Sequence, residues 1–267
     1  MLDKLFEDVD EREDSGKLAI DADSLLYLSC YKHREDFDIE LAYFDFAGRI
    51  KAIEIEMYKK VTQVEDIKLC LTPKKNFRND IYPEYKANRK KVETDESKQL
   101  KEYVRELKAL VYKRLKKICF INNQIEADDG VIMFAYKGYY VSAMDSDVVN
   151  QCPTPVFNFH AKKWKWQHEG KTDKEIFTRV LLESMKGKSK DNVKGIKGCG
   201  EVKAKEYVEQ ILNADKSFQD YVELFDIPEE MLLNYRLCDV SQYKNGKLEL
   251  VSIEDIANKF TDYVNPF

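Results

Sequence analysis

Apolar positions in the first 150 residues follow two spacings that alternate along the chain. Short apolar runs predict strands over four segments, namely 17–21, 67–71, 118–121 and 139–144. Apolar residues spaced near 3.6 positions apart predict helices over 44–61, 96–117 and 127–136, with a further helix after the polar break at 21–24. Strands that alternate with helices are typical of a doubly wound, mainly parallel sheet. The pattern therefore predicts an α/β domain over residues 17–185.

The pattern changes from about residue 156. The letters VFNF and KWKWQ alternate as in a β-hairpin beside the sheet, and residues 174–185 have helical spacing. Glycines then stand at 195, 198 and 200 between helical flanks, which predicts a helix, glycine-rich turn, helix unit over 189–212. Three more helices are predicted to begin near Ser217, Pro228 and Ser252. Residues 186–267 are therefore predicted to form a mainly helical C-terminal region.

Charge is distributed unevenly along the 267 residues. The chain has 44 basic and 49 acidic residues, a formal net charge of −5. Residues 1–15 hold seven acids against Lys4 and Arg12, so this segment alone accounts for the excess. We expect residues 1–16 to be a solvated acidic extension rather than a signal peptide, since they lack a basic start and a long apolar run. No apolar run approaches the roughly 20 residues that cross a bilayer, so a cytoplasmic protein without a membrane partner is predicted.

The six cysteines are spread along the chain without a Cys-x-x-Cys pair. This spacing matches neither a zinc framework nor a compact disulfide scaffold. Several lie in apolar contexts, which indicates reduced cysteines that pack in the core.

Acidic residues stand where the predicted strands end, at the edge where parallel sheets build their sites. The candidate metal ligands are Asp21, Glu126, Asp128, Asp129, Asp145, Asp147 and Asp191. Seven carboxylates at one edge need a cation, and oxygen ligands without His or Cys favour Mg²⁺ or Mn²⁺ over zinc. Each acidic motif taken alone is better explained as a helix cap or as favourable charge in a first helical turn, and only the whole set, in this order at the strand ends, favours a metal site.

Two basic segments, each with a net charge of +5, flank these acids in an otherwise neutral chain: 74–91 and 186–205. The first also carries Tyr82 and Tyr85, which could stack on unpaired bases. In the second, glycines at 195, 198 and 200 allow backbone N–H groups to approach a phosphate at a helix N-terminus. An acidic metal edge between two phosphate-binding surfaces indicates a metal-dependent nuclease.

Five motifs in this order resemble a known family: LAIDADSL, FRNDIYPEYKANR, EADD, MDSD and KDNVKGIKGCGEVKAKE. They resemble the 5′ nucleases, which include phage 5′-exonucleases and flap endonucleases, phage ribonuclease H, and the 5′ nuclease domain of bacterial DNA polymerase I. The resemblance covers about residues 17–212. It implies a resolvase-like, PIN-like α/β domain, a helical arch over the site at about 74–95, and a helix-hairpin-helix-type unit at 189–212.

The resemblance also implies roles for particular residues. The seven acids would bind one or two Mg²⁺ or Mn²⁺ ions, Lys86 and Arg78 would position the scissile phosphate, and Tyr85 is the aromatic residue of the arch. The residues expected to bind DNA are Arg89, Lys90, Lys194, Gly195, Lys197, Gly198, Gly200 and Lys203. The implied substrate is branched or 5′-flapped DNA, with RNA–DNA hybrid as an alternative. Replication proteins as partners, a K⁺ ion at the glycine-rich turn and a monomeric state are expected as well.

Two positions depart from the family pattern. Thr72 stands where the family has an Asp after the second strand, and Lys188 stands at the first Asp of the family's D-x-x-D-N. Lys188 exchanges a negative for a positive charge beside the second metal position, so it could pair with Asp147 or Asp191 and displace that ion. Two alternatives therefore stay open beside a 5′ nuclease: a branched-DNA-binding protein that cleaves slowly or not at all, and a PIN-type ribonuclease.

Overall fold

The computed structural model describes residues 12–90, 94–160, 162–167, 169–213, 215–225, 228–244 and 246–263. The helices are α1 (Ala22–Lys32), α2 (Ile39–Met57), α3 (Phe77–Ile81), α4 (Asp95–Leu115), α5 (Ala127–Ala135), α6 (Ser146–Gln151), α7 (Asp173–Lys186), α8 (Glu201–Leu212), α9 (Phe218–Val222), α10 (Pro228–Cys238) and α11 (Ile253–Tyr263). The strands are β1 (Glu13–Asp21), β2 (Val61–Leu71), β3 (Cys119–Ile121), β4 (Tyr140–Ser142), β5 (Val156–Asn158), β6 (Lys165–Trp166), β7 (Gly187–Lys188), β8 (Val193–Lys194), β9 (Tyr243–Lys244) and β10 (Lys247–Leu248).

Six strands form one sheet in the order β3-β2-β1-β4-β5-β6. Every pair is parallel except β5 and β6, the hairpin expected beside the sheet. The fold is therefore the predicted mixed α/β class with a mainly parallel sheet. Because parallel strands point the same way, Asp21 and the loops after Leu71, Ile121 and Ser142 all reach one sheet edge.

The first strand alternates its side chains between two apolar layers. Leu18 and Ile20 pack with α1, α2 and α4, whereas Ala19 packs with α5 on the opposite face. β1 is longer than the predicted 17–21, since Glu13 pairs with Val61 of β2. Part of the expected N-terminal extension is thus sheet, and residues 1–11 lie outside the described residues.

Residues of the C-terminal region form a third apolar layer. Side chains of α7, α8, α10 and α11 share one cluster, so α7 packs with the C-terminal helices rather than with the sheet. The expected domain boundary falls at residue 185, near the end of α7, and α7 itself packs with helices that follow that boundary. Val240 and Tyr243 pack against the α5 side of the sheet, which joins the two regions.

The segment expected to form a helical arch, 74–95, has little helix in its described part. It contains α3, a 3₁₀ turn at Ala87–Lys90 and the first residue of α4, and residues 91–93 lie outside the description. Tyr85 is buried and belongs to the C-terminal apolar cluster. The described part of this segment therefore forms a wall of the site.

The helix predictions after residue 200 are confirmed. Ser217 caps α9 and exchanges hydrogen bonds with Asp220, and Ser252 does the same with Asp255 before α11. Five of the six cysteines are buried and Cys119 is half-buried. Among the described residues no helix has both the length and the apolar character to span a membrane.

Candidate functional site

Carboxylates from four segments meet at the sheet edge, and we call this group the acidic rim. Its members are the seven predicted acids and one more, Asp23. Asp21 ends β1, Glu126 precedes α5, and Asp145 caps α6 by accepting a hydrogen bond from the Asp147 N–H at 2.8 Å. The sequence therefore placed these acids at the correct edge, and the structure decides how each is compensated.

One predicted pair lies too deep to meet a substrate. Arg78 is 1% exposed, and its two terminal nitrogens donate to the two carboxylate oxygens of Asp129 at 2.7 Å each. It also donates to the Asp239 carbonyl at 2.9 Å. Both oxygens of Asp129 are therefore held by Arg78, and Arg78, although it borders the cleft, is buried with both terminal nitrogens on Asp129. The roles expected for these two residues are corrected to a buried ion pair that ties α3 to α5 and to the chain after α10.

Glu126 is held by two residues of the same wall. The Lys86 ammonium lies 2.8 and 2.9 Å from its two oxygens, and the Tyr85 hydroxyl donates to it at 3.1 Å. Although burial acts in the opposite direction, Lys86 and Arg78 keep the pKa of Glu126 below its ordinary value. Tyr85 is 6% exposed, so the expected stacking on bases is replaced by a contact that orients Glu126.

The wall is docked onto the turn that carries Asp191. Lys86 N–H donates to the Asp191 carbonyl at 2.9 Å, and the Asn192 side chain donates to the Glu84 carbonyl at 2.9 Å. Arg89 donates to an Asp191 carboxylate oxygen at 2.6 Å. Lys86 and Asn192 both have left-handed backbones, with φ of 58° and 61°. Such strain costs about 1–2 kcal/mol per residue and persists only where the surroundings fix it.

Lys188 occupies the position anticipated from the sequence. Its ammonium lies 2.8 Å from Asp147, and both side chains are buried. Despite that burial, the pKa of Asp147 is lowered by Lys188, so the pair is ionised. Lys190 lies 3.5 Å from Asp145 and 4.0 Å from Asp147. The place where the resemblance implies a second metal ion is thus lined by two lysine ammonium groups.

A comparable arrangement surrounds Thr72. Its N–H donates to Asp23 at 3.0 Å, and its hydroxyl accepts from the Ala127 N–H at 2.9 Å. Lys108 donates to the Thr72 carbonyl and to Asp23 at 2.9 Å. Thr72 therefore connects β2 to the start of α5, while Lys108 from α4 brings a positive charge next to the position where the family has an aspartate.

The charges of the rim can be counted among the described residues. Six of its eight acids have a basic partner: Asp23 with Lys108, Glu126 with Lys86, Asp129 with Arg78, Asp145 with Lys190, Asp147 with Lys188, and Asp191 with Arg89. The remaining two are Asp21, which accepts from the Ser24 hydroxyl at 2.7 Å, and Asp128. Two negative charges are therefore left without a cation.

The pKa values of both acids are raised, as expected for buried carboxylates without a cationic partner. Burial, together with Asp23 and Asp145, raises the pKa of Asp21 to about 7. Burial, together with Asp21 and Asp145, raises the pKa of Asp128 well above its ordinary value. A divalent cation at this point would remove the repulsion.

The carboxylates suit an ion such as Mg²⁺, which keeps most of its waters, better than an ion that needs three or more converging side chains. Among the described residues, no three acid, His or Cys side chains converge as a ready-made metal centre. Mg²⁺ typically keeps several waters and takes only one or two protein carboxylates, which Asp21 and Asp128 supply. The second position does not fit an ion in this arrangement, because Lys188 already neutralises Asp147.

The glycine-rich turn contains exposed and buried parts. Lys194, Lys197 and Lys203 are exposed, as DNA-binding residues must be. Gly198 has a φ of +75° with open space around it, so it makes the turn. A Cβ on Gly195 would lie 2.4 Å from the Met185 carbonyl oxygen, so this glycine serves close backbone packing instead. Gly200 precedes α8 without a side-chain cap, which leaves the N–H groups of that helix available.

Sequence reasoning missed Asp23, Lys108 and Lys190. Asp23 could have been found, because it stands two residues after Asp21 in the same motif. Lys108 gave no signal, since one lysine among many on a charged helix is unremarkable until β2 is placed beside it. The side chain of Lys90, an expected DNA contact, lies outside the described residues, as do residues 91–93.

Comparison with known proteins gives results for structure and none for sequence. No protein-family model and no curated protein matches this sequence. A bacteriophage T5 protein co-crystallised with metal ions is 19% identical and has a TM-score of 0.64, covering 94% of this chain and 98% of that chain. T5 5′-exonuclease with bound zinc, and a T5 flap endonuclease with one Asp replaced by Lys in a pseudo-enzyme–product complex with DNA and metal ions, each give 18% identity and a TM-score of 0.63 at the same coverage. The chain therefore has the PIN-like α/β fold of bacteriophage T5 5′-exonuclease.

Proposed function

We propose that this protein is a 5′ nuclease that hydrolyses phosphodiester bonds at junctions of single-stranded and duplex DNA, with one divalent metal ion. The observation that carries the proposal is the pair of uncompensated carboxylates, Asp21 and Asp128, at the centre of an otherwise neutralised rim. A dication would relieve the repulsion between them, and the surfaces on both sides are basic. The shared fold with T5 5′-exonuclease supports the same conclusion.

Asp21 and Asp128 would hold Mg²⁺ or Mn²⁺, with Asp145 beside them. When bound, such an ion polarises a phosphoryl oxygen and lowers the pKa of a coordinated water. Lys86 is a quarter exposed and borders the cleft, so its ammonium can pass from Glu126 to an incoming phosphate. Lys190 is half exposed and can do the same from Asp145. These two lysines would neutralise the scissile phosphate without a large rearrangement.

Duplex DNA would lie on the surface of the glycine-rich turn. Exposed Lys194, Lys197 and Lys203 would contact phosphates, and the uncapped N-terminus of α8 would accept one more. A K⁺ ion at this turn and a helix-hairpin-helix-type role remain predictions of the resemblance.

A second candidate is a protein that recognises branched DNA but cleaves it poorly. The ion pairs Lys188–Asp147 and Lys190–Asp145 favour it, because they occupy the second metal position. One ion cannot stabilise attacking and leaving oxygens as two ions can. The T5 flap endonuclease variant with Lys in place of Asp was solved with DNA and metal ions, which supports the view that a lysine in such a protein is compatible with both ligands.

The test is a cleavage assay on a 5′-flap substrate in Mg²⁺ or Mn²⁺, with binding measured in EDTA. A 5′ nuclease cuts near the junction, requires the metal and loses activity in Asp128→Asn. A binding protein shows the same junction preference in EDTA but no metal-dependent product. Cleavage that persists in EDTA or in Asp128→Asn would contradict the one-ion centre.

A further inference from the structure

A groove runs beside the acidic rim, between α4 and the ends of β2 and β3. Its volume is about 780 Å³, within the roughly 300–1,000 Å³ usual for ligand sites. Its lining includes the cationic side chains of Lys74, Arg105 and Lys108 and the apolar side chains of Pro73, Tyr112 and Ile121. The acidic residues of the rim do not line it, so this groove is distinct from the cleft around Glu126 and Asp128.

The groove begins where the acidic rim ends. Thr72 lines it, and the same residue donates to Asp23 and accepts from Ala127, the neighbour of Asp128. A nucleic-acid strand that passes Asp21 and Asp128 would therefore enter the groove directly. Lys108 lies at this boundary, since it lines the groove while it pairs with Asp23.

Its lining has the chemistry of a site for unpaired nucleotides. Tyr112 and Ile121 are 40% and 37% exposed, so an apolar surface is presented to solvent between cationic side chains. Unpaired bases stack on aromatic rings, whereas paired bases hide their faces within the duplex. Arg105 is 72% exposed, and its one ion pair with a described residue is with Glu102 on the same helix, so it can turn to a phosphate.

We propose that this groove binds the single-stranded 5′ segment of the substrate, with a base on Tyr112 and phosphates on Lys74 and Arg105. The identity of the strand rests on the proposed function, but its binding requires no cleavage. The groove would thus set the preference for substrates that carry an unpaired 5′ tail. The basic surface at the glycine-rich turn, in contrast, would bind duplex regardless of the tail.

The experiment compares two labelled hairpins that differ only in a 5′ tail of six thymidines, with affinities measured by fluorescence anisotropy in EDTA. The double variant Arg105→Ala/Tyr112→Ala should lose about fivefold or more in affinity for the tailed hairpin and less than twofold for the untailed one. Tyr112→Phe keeps the ring and should bind as wild type does. Lys113→Ala removes an exposed charge from the same helix outside the groove and is the matched control.

Salt dependence gives a second readout. Lys74→Ala/Arg105→Ala should reduce the slope of log affinity against log salt by about 1.4 for the tailed hairpin only, near 0.7 for each lost phosphate contact on a single strand. All these side chains are exposed, so unchanged melting temperatures should accompany the loss.

The inference is overturned if the double variant weakens both hairpins equally, which would make the groove a duplex contact. It is also overturned if Lys113→Ala has an equal effect, because the loss would then follow from the net charge of the protein alone. Wild-type binding that does not depend on the tail overturns it as well. These outcomes are separable from the proposed function. Tail-dependent binding without any metal-dependent cutting would support the groove and refute the nuclease, and cutting with indifference to the tail would do the reverse.

Discussion

The acidic rim has two halves that differ in charge compensation: Asp21 and Asp128 form the first half, and Asp147 and Asp191 form the second. Asp147 and Asp191 are each matched by a cation at hydrogen-bond distance, so that half is neutral without a ligand. Asp21 and Asp128 face one another's charge with only a serine hydroxyl for Asp21, and their pKa values are raised. The comparison teaches that the number of acids at an edge does not give the number of metal ions. What matters is the charge left after the protein's own cations are counted.

The largest expected effect is on cleavage. Asp128→Asn removes one of the two uncompensated charges and should reduce Mg²⁺-dependent cleavage on the order of a thousandfold, about 4 kcal/mol of transition-state stabilisation. The same change should stabilise the metal-free protein, because like-charge repulsion with Asp21 disappears. Single-turnover rates and thermal melts in EDTA measure the two effects. Undiminished cleavage would contradict the assignment of the metal ion to Asp21 and Asp128.

The second half of the rim should respond in the opposite way. Asp147→Asn leaves the Lys188 ammonium buried without its partner and should cost about 3 kcal/mol of unfolding free energy. Lys188→Met/Asp147→Leu removes both charges and should restore most of that loss. Urea denaturation of the two variants and of Asp128→Asn in EDTA tests the contrast. Equal destabilisation by Asp128→Asn and Asp147→Asn would mean that the halves do not differ.

Lys188→Asp should convert the second half into a metal site. The variant gains a carboxylate beside Asp147 and Asp191, so titration calorimetry should detect two Mg²⁺ ions in place of one. Cleavage should rise, and each tenfold gain corresponds to about 1.4 kcal/mol. Thr72→Asp is a comparison variant at the other departure from the family pattern. A wild-type protein that already binds two ions would contradict the displacement of the second ion by Lys188. A fast wild type and a slower Lys188→Asp variant would make Lys188 a working catalytic residue.

The pH dependence of stability should distinguish Asp21 from its neighbours. Its folded pKa, about 7, exceeds the ordinary value of 3.8, so between these values the folded state binds the extra proton. In EDTA, the stability advantage of Asp21→Asn over wild type should therefore widen as pH rises from about 4 to about 7. Saturating Mg²⁺ should remove this widening. A difference that stays constant with pH would show that Asp21 ionises normally.

The smallest effect is expected away from both halves. Lys194→Ala/Lys197→Ala should lower affinity for plain duplex and for flaps alike, with a salt slope shallower by about one to two units. Because these lysines lie on the glycine-rich turn, the Mg²⁺ concentration for half-maximal cleavage should not change. A change in the Mg²⁺ concentration for half-maximal cleavage would show that these lysines influence metal binding at the acidic rim.

The sequence by itself determined the fold class and the edge at which the acids meet. Alternating strand and helix spacing, with acids at or soon after the ends of three of the four predicted strands, is sufficient because parallel strands end at one edge. It also located Thr72 and Lys188 as the exceptional positions. The capped helices at Ser217 and Ser252 followed from local hydrogen-bonding chemistry, which needs no distant partner.

Only the tertiary structure decided which acids remain available. Arg78 and Asp129 are 51 positions apart, Lys108 and Asp23 are 85 apart, and Arg89 and Asp191 are 102 apart. An ion pair between such residues depends on how α4 and the wall formed by the described part of 74–95 dock, which is set by packing and not by local spacing. Burial then decided that Tyr85 orients Glu126 instead of stacking on a base. Desolvation and the residual charge around a carboxylate are properties of the assembled site, and for that reason the sequence named seven ligands where the structure leaves two uncompensated.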